Sequence, residues 1–501
     1  MKANSHPRDQ TSHLDRPAVM DAKVMDMATL QRPLPPKPEA MEWRDYLIML
    51  LHIGAELEHA LMVEYLYAAY SLNDRSGPPE QRRQMSELRN LLLTVAKEEM
   101  GHLLTVQNLL CLLGGPVCFD RSHFPADTAY LPFPFRLEPA SLESLAWYVY
   151  AEAPHDWQVL FQAHRWQRDL EVRDDIRMVA EIVGTRPATG QAHTVGQLYD
   201  RIIEVIADPA RIPDAVFRPD TYAHQASWDD WGRGYAPPPA RPGETEPPRS
   251  APADRSCVIV ARVATRTEAL AALKQIGRQG EAAHLRLADD DEPSHFERFM
   301  RLLDAFRAAK DPRDLVHAVP VNPTTTLGPD KQEGSTSIEQ STSRQWGTLF
   351  NLRYRALLTY LSHSYRLARL VDAREPNVRG ALMHKAFGEM YNLKAIAGVL
   401  VHRPLKDGVP SDQACAAPPF EMPYAMDLPI DEPDCWQQHQ DILKASLKVC
   451  HTLLAAEDPL APPLTANEGN YLRTLRQLDQ TSIAWIDTIR VGLLRNGGHR
   501  V

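Results

Sequence analysis

Apolar residues recur at intervals of three and four through most of this chain, a period that predicts helices rather than strands. The pattern runs from roughly 43 to 72 and from 80 to 113, where Gly114-Gly115-Pro116 supplies the expected stop at a helix C-terminus. Shorter helices are predicted around 141–153, 155–170, 194–207, 266–284 and 293–309, and long ones at 346–371, 377–402, 433–456 and 466–495. The run CVIVARVA, residues 257–264, reads as a lone strand. Residues 1–40 are polar and proline-rich and predict a disordered arm. A loop rich in Phe and Pro reaches to about Phe135, and a second irregular stretch spans about 310–344. The segment from about 208 to 256 ends in YAPPPARPGETEPPRSAPADR, which cannot hold a helix or a central strand and predicts an insertion. No repeat of solenoid period is present. The expectation is an all-α fold: a helical bundle over 41–310 with long loop insertions, and a C-terminal helical extension over 311–501 packed on it.

Candidate chemistry sits on the first two long helices. Glu58 is flanked at helical spacing by Gly54, Ala55, Leu61, Met62 and Tyr65, and Glu99 by Val95, Ala96, Leu103 and Val106, so both acids are predicted to face inward. His102 follows Glu99 by three residues, on the same face about one turn on. A buried carboxylate is costly without a partner or a cation. A single Glu, then Glu-x-x-His on the next helix, is half of the carboxylate-bridged dimetal site of ferritin-like four-helix bundles. Carboxylates bridge and balance charge, while neutral imidazole suits iron, zinc or manganese.

The same Glu-x-x-His spacing occurs at Glu152/His155, Glu281/His284 and Glu292/His295, so the second half of the site has several candidates. Glu281 closes one predicted helix and Glu292 with His295 opens the next; His284 competes with His295 as the imidazole. Asp289, Asp290 and Asp291 read as helix capping. Glu152 in YVYAEAP is a further ligand or a partner of one. Glu56 and Glu98 are expected to be solvated or salt-bridged, whereas Glu64 rivals Glu58 for the first-helix position. Tyr65, two turns beyond Glu58 on the same face, is the candidate catalytic side chain, able to hydrogen-bond a ligand or carry a radical, against the alternative that it is simply packed. Trp147, Tyr148 and Tyr150 either line a flat pocket or fill the core.

Composition narrows the class. The chain has 501 residues, 44% hydrophobic and 24% charged, enough for a large core. A net charge of −10 and a pI near 6.0 leave no basic footprint, which speaks against nucleic acid or an anionic membrane as partner. The N-terminus lacks the apolar core of a secretory signal, and no stretch reads as a membrane span, so the expected address is cytoplasmic. Cys111, Cys118, Cys257, Cys415, Cys435 and Cys450 include no Cys-x-x-Cys pair, and are expected to be reduced and mostly buried. A cysteine thiolate on haem stays open as an alternative.

Several strings occur in a familiar order: ELEHALMVEYLYAAYSL, EEMGHLLTVQNLLCLLGGP, YAEAP, HTVGQLYDRI, QIGRQGE, SHFERF, AVPVNPT, LFNLRYRALLTYL, FGEMYNLKAIAGVL and PPFEMP. Over about residues 44–455 the chain thereby resembles the ferritin-like domain of the iminophenyl-pyruvate dimer synthases of violacein and rebeccamycin biosynthesis. The resemblance implies a ferritin-like metal-binding fold and oxidative coupling of two imines made from an aromatic amino acid. Residue by residue it implies Glu58, Glu99, His102, Glu281 and His295 as ligands; Glu152 falls on a recurring acid, and Glu292 has weaker support because Pro293 suits only a first helical turn. Gln197 stands where such proteins often carry an acid, Glu64 where they commonly have proline or a neutral residue, and the long additional region of the violacein member is missing. The expected protein is therefore a di-iron oxidoreductase acting on an aromatic or amino-acid-derived small molecule in secondary metabolism, with manganese or haem as alternative cofactors and a homodimer as one possible assembly. The rival class is a metal-storage or scaffold protein without substrate.

Overall fold

The computed structural model describes residues 34–153, 178–183, 194–227, 258–280, 293–367, 378–422, 426–456 and 462–495. The arm before residue 34, the helix expected at 155–170, most of the proline-rich insertion and the candidates Glu281, His284 and Glu292 lie outside them.

The first two periodic stretches form α1 (Trp43–Ser71) and α2 (Pro79–Leu112). They are antiparallel: Arg44 at the start of α1 donates to the Leu113 carbonyl beyond the end of α2, and Arg89 early in α2 donates to the Ala69 and Leu72 carbonyls. Between them Leu47, Leu50, Leu51, Leu57, Leu61, Leu92, Val95, Leu103 and Val106 are buried. Each such aliphatic side chain contributes about 1.5–3 kcal/mol of burial. The expectation that no stretch has the apolar length of a membrane span needs correction, because α1 has it, with a window of mean hydropathy 1.4. Most of that window, 72%, is buried inside the protein, and α1 carries the buried acids Glu58 and Glu64, so α1 is a core helix.

Around this pair stand α3 (Leu142–Ala151), α4 (Val195–Ala207), α5 (Arg266–Gly280) and α6 (His295–Ala308). α3 packs on α6, and α4 packs on both α1 and α5. Ser141 opens α3 and Ser294 opens α6 with reciprocal capping boxes, each worth about 1 kcal/mol. The second group comprises α7 (Ser341–Arg366), α8 (Val378–Leu400), α9 (Glu432–Ala455) and α10 (Ala466–Arg495), with α7 against α8 and α9, and α9 against α10. Buried apolar residues from both groups belong to one cluster that runs from Leu34 to Leu493. Strand content among the described residues is a two-residue parallel pair, Pro323–Thr324 with Thr336–Ser337.

The strand expected at 257–264 is not one. Residues 258–263 form neither helix nor strand. Their backbone groups are met by side chains instead: Thr105 bonds Ile259 and Ala261, Asn108 bonds Ala226 and Ala261, and Gln225 bonds Val263 on both its donor and acceptor sides. The segment lies so close to α2 that a Cβ at Gly101 would sit 2.6 Å from the Ile259 carbonyl oxygen. A Gly101→Ala substitution is therefore expected to destabilise the fold by about 1–3 kcal/mol despite alanine's higher helix propensity. A denaturant midpoint equal to or above the parent's would show that the contact is looser than drawn.

Candidate metal centre

Between Glu99 and His102, α2 presents its most polar buried surface at the middle of the bundle. Glu58, Glu99, His102, Glu152 and His295 are each no more than 2% exposed. They come from α1, α2, the C-terminal cap of α3 and the first turn of α6. Two groups of three potential ligands form there, each with its ligand atoms within 4.8 Å of one another: Glu58, Glu99 and His102, and Glu99, Glu152 and His295. Glu99 belongs to both. Its Oε2 lies 2.9 Å from His102 Nδ1, and its Oε1 2.9 Å from His295 Nδ1. Glu58 Oε2 is 3.4 Å from His102 Nδ1, and Glu152 Oε2 is 3.8 Å from His295 Nδ1.

Several features of this cluster fit a bound cation. Glu58 Oε2, Glu99 Oε1 and His295 Nδ1 are buried without a hydrogen-bond partner, although the last two face each other at 2.9 Å. Close approach without hydrogen-bond alignment is what lone pairs aimed at a common point produce. Glu152 caps the C-terminal end of α3, where the helix dipole is already negative, so its carboxylate is doubly in need of positive charge. Gly280 at the end of α5 leaves room for it: a Cβ there would lie 3.1 Å from Glu152 Oε2.

Outer contacts fix the orientation of the inner ones, as metal-bound histidines and carboxylates require. His102 turns its other nitrogen to Gln279 Oε1 at 2.9 Å. His295 turns Nε2 to Glu98 at 2.7 Å, and Glu98 is also bonded by Arg298 at 2.6 Å. Tyr65 donates to Glu152 Oε1 at 2.6 Å, and Tyr199 of α4 donates to Glu58 Oε1.

The electrostatics show the demand for positive charge directly. Burial, followed by the neighbouring Glu99 carboxylate, pushes the Glu58 carboxyl up to about 8. Burial acts to lower His102, but the Glu58 and Glu99 carboxylates beside it prevail and raise it to about 10. His295 is likewise raised, Glu99, Glu152 and Glu98 together outweighing burial. Burial acts to raise Glu99, yet His295 and His102 hold it low. Without a metal, protons supply the charge that the carboxylates need. Both Glu58 and His102 keep protons in the folded state that the unfolded chain would release, so the metal-free protein loses stability as pH rises, through about 8 for Glu58 and about 10 for His102. A cation must displace those protons, and its affinity is expected to rise with pH over the same window. Isothermal titration of metal in buffers of different ionisation enthalpy reads the proton release; a pH-independent affinity with none released would contradict this electrostatic picture.

Of the residues singled out in the sequence, Glu58, Glu99, His102, Glu152, His295 and Tyr65 are brought together. Glu281 and Glu292 fall outside the described residues, so the structure is silent on both. Glu64 goes elsewhere, accepting the Arg136 backbone N–H at 2.6 Å. Glu98 is ion-paired as expected but not solvated, since it is fully buried. Glu56 accepts from Ser122. The further Glu-x-x-His spacing of Glu56 and His59 builds nothing here, because His59 pairs with Tyr354. Tyr199, Gln279 and Arg298 were not anticipated; the inward period of α4 could have pointed to Tyr199, while the other two depend on contacts distant in sequence. Trp147, Tyr148 and Tyr150 are buried in an aromatic cluster with Phe133 and Phe299, the core-filling role rather than a pocket wall.

Comparison with known proteins agrees with this architecture. The family described as Ferritin-like matches residues 51–304, the stretch that carries α1 to α6 and every residue of the cluster. The 2-imino-3-(indol-3-yl)propanoate dimerase of Chromobacterium violaceum is 35% identical over 161 residues, covering 27% of this chain and 16% of that protein. The dichlorochromopyrrolate synthase of Lentzea aerocolonigenes is 33% identical over 132 residues, covering 22% of this chain and 13% of that protein. The alignments thus cover about a sixth or less of the length of these curated relatives. No solved structure matches. With half the chain matched, and a helical bundle folded around the shared carboxylate, the protein belongs to the ferritin-like family.

Proposed function

We propose that this protein is a di-iron oxidoreductase of secondary metabolism that couples two imines derived from an aromatic amino acid. The observation that carries the reading is the position of Glu99, shared between two three-ligand groups as a bridging carboxylate would be. Glu58, Glu99 and His102 would hold one ion, and Glu99, Glu152 and His295 the other; Glu281 and Glu292 are candidates for completing the set. When bound, iron supplies one-electron redox chemistry, and manganese or haem are the alternatives to be excluded by analysis of the purified protein. The substrate class follows from the relatives, one of which dimerises an indolyl imino acid.

Joining two imines by a new bond removes two electrons and two protons, with dioxygen or peroxide as acceptor. The chain's own residues manage the protons and the geometry. Tyr65 is the side chain placed to exchange a proton with the centre, through its hydrogen bond to Glu152. Burial, then the Glu152 and Glu99 charges, raise its phenol well above the usual range, so Tyr65 keeps its proton unless an electron leaves with it. Glu98 and Arg298 hold the His295 ring, and Gln279 the His102 ring, so that each turns its other nitrogen to the carboxylates.

The reading is tested by loading the protein anaerobically with ferrous iron, generating the imine in place from tryptophan with an amino-acid oxidase, and admitting dioxygen or peroxide. The expected product has the mass of two imines less two hydrogens. Formation of the hydrolysed keto acid alone, at the rate seen without protein, contradicts it; iron binding without consumption of oxidant would favour storage. In the same assay Tyr65→Phe should lower turnover by roughly a hundredfold, as loss of a positioned proton donor does, while leaving iron content unchanged. Full activity in that variant would return Tyr65 to a packing role.

A further inference from the structure

Outside the segment matched to the ferritin-like family, α7 and α9 build a second cluster that the proposed reaction does not use. His363 lies near the end of α7, and Glu432 and Cys435 occupy the first turn of α9, three residues apart on one face. A His363 ring nitrogen, a Glu432 carboxylate oxygen and Cys435 Sγ all fall within 4.8 Å of one another, with His363 Nε2 2.8 Å from Glu432 Oε1. We propose that His363, Glu432 and Cys435 form a separate site for a zinc-class divalent cation, with a fourth position open to water.

The donor set argues for that class. Thiolate and imidazole together favour zinc-like ions over the harder cations that take oxygen alone, and three protein ligands with one free position is a recurrent zinc arrangement. The surroundings supply the support that a metal-bound imidazole needs: His363 Nδ1 is 2.8 Å from His439 Nε2, with the two buried rings stacked at 5.1 Å. Trp436 Nε1 donates to Glu432 at 3.0 Å and packs edge-on against His363. Arg366 Nη1 lies 2.8 Å from Cys435 Sγ; burial pushes that thiol up to about 11 against the Arg366 charge, and Sγ donates to the Pro429 carbonyl, so a cation would take the place of the thiol proton. The Glu432 side chain is 15% exposed, which gives an ion a way in. Tetrahedral coordination at about 2.0 Å from nitrogen and oxygen would require the His363–Glu432 separation to widen by roughly half an ångström, within the reach of side-chain rotation.

Cobalt(II) titration of the full chain, in a non-thiol reductant, tests the site independently of the ferritin-like centre. The described residues of that centre include no cysteine, so a sulfur-to-cobalt charge-transfer band reports the α7–α9 cluster alone. One equivalent of cobalt is expected to develop the band, zinc to abolish it by competition, and Glu99→Gln to leave it intact. Cys435→Ser should remove it, and His439→Gln, which replaces the ring hydrogen-bonded to His363 Nδ1, should weaken cobalt binding roughly ten- to a hundredfold. Absence of the band in the parent protein, or its survival in Cys435→Ser, overturns the proposal. Because the parent titration alone can do so, the outcome does not depend on a variant folding.

Discussion

Replacing Glu99 by glutamine is expected to take the protein from about two bound irons to essentially none at micromolar free iron, the largest effect of any single substitution in the ferritin-like part. Every other candidate ligand serves one three-residue group, but Glu99 serves both. The amide keeps the side-chain volume while losing the negative charge that offsets two cations in a buried site. In the metal-free protein the same change leaves His102 and His295 without their shared counter-charge, so their raised protonation should fall back toward the ordinary histidine range. Metal analysis after gel filtration, with histidine titration by NMR, reads both. Loss of one iron with retention of the other would show that the two groups do not share a bridge.

The second large effect lies far from that centre. Arg353 of α7 is buried between two carboxylates, with its guanidinium on Glu389 of α8 and on Asp479 of α10 at 2.8 Å. Ser446 of α9 bonds both Arg353 and Asp479, and Asn392 bonds Glu389. One network thus ties all four C-terminal helices, and none of the three charged side chains is more than 6% exposed. Arg353→Ala leaves two carboxylates in the core with no cation, and should lower stability by about 3–5 kcal/mol. Replacing all three charged residues by apolar side chains of similar volume should cost far less, since the penalty belongs to the unpaired charges rather than to the lost attraction. Denaturant midpoints of the two variants decide the matter; a loss below about 1 kcal/mol for Arg353→Ala would mean that water reaches the network.

Much of the helical framework was legible because long amphipathic stretches with clear stops leave few alternatives. α1, α2, α9 and α10 start and end within a residue or so of the periodic pattern. α7 begins earlier than expected, at Ser341, because Gln340 caps it and the polar Ser-Thr-Ser turn hides its start. The β-branched run at 257–264 read as a strand because local propensity cannot reveal that its hydrogen-bond partners are the side chains of Thr105, Asn108 and Gln225. At the candidate centre, apolar neighbours sufficed to turn Glu58 and Glu99 inward. For Glu98 the same reasoning left water and an ion pair both open; the ion pair with Arg298 is the one found, and it is fully buried because α2 is enclosed on several sides around this point. The choice between His284 and His295 had no local signal at all; it is the turn into α6, capped by Ser294, that carries His295 to Glu99.

Crystals loaded with ferrous iron and measured at the iron absorption edge give the most direct test of the central claim. Two anomalous peaks roughly 3.5–4 Å apart, the usual spacing of paired catalytic metals, are expected with the Glu99 carboxylate between them. A single peak, or two peaks that do not both contact Glu99, would contradict it.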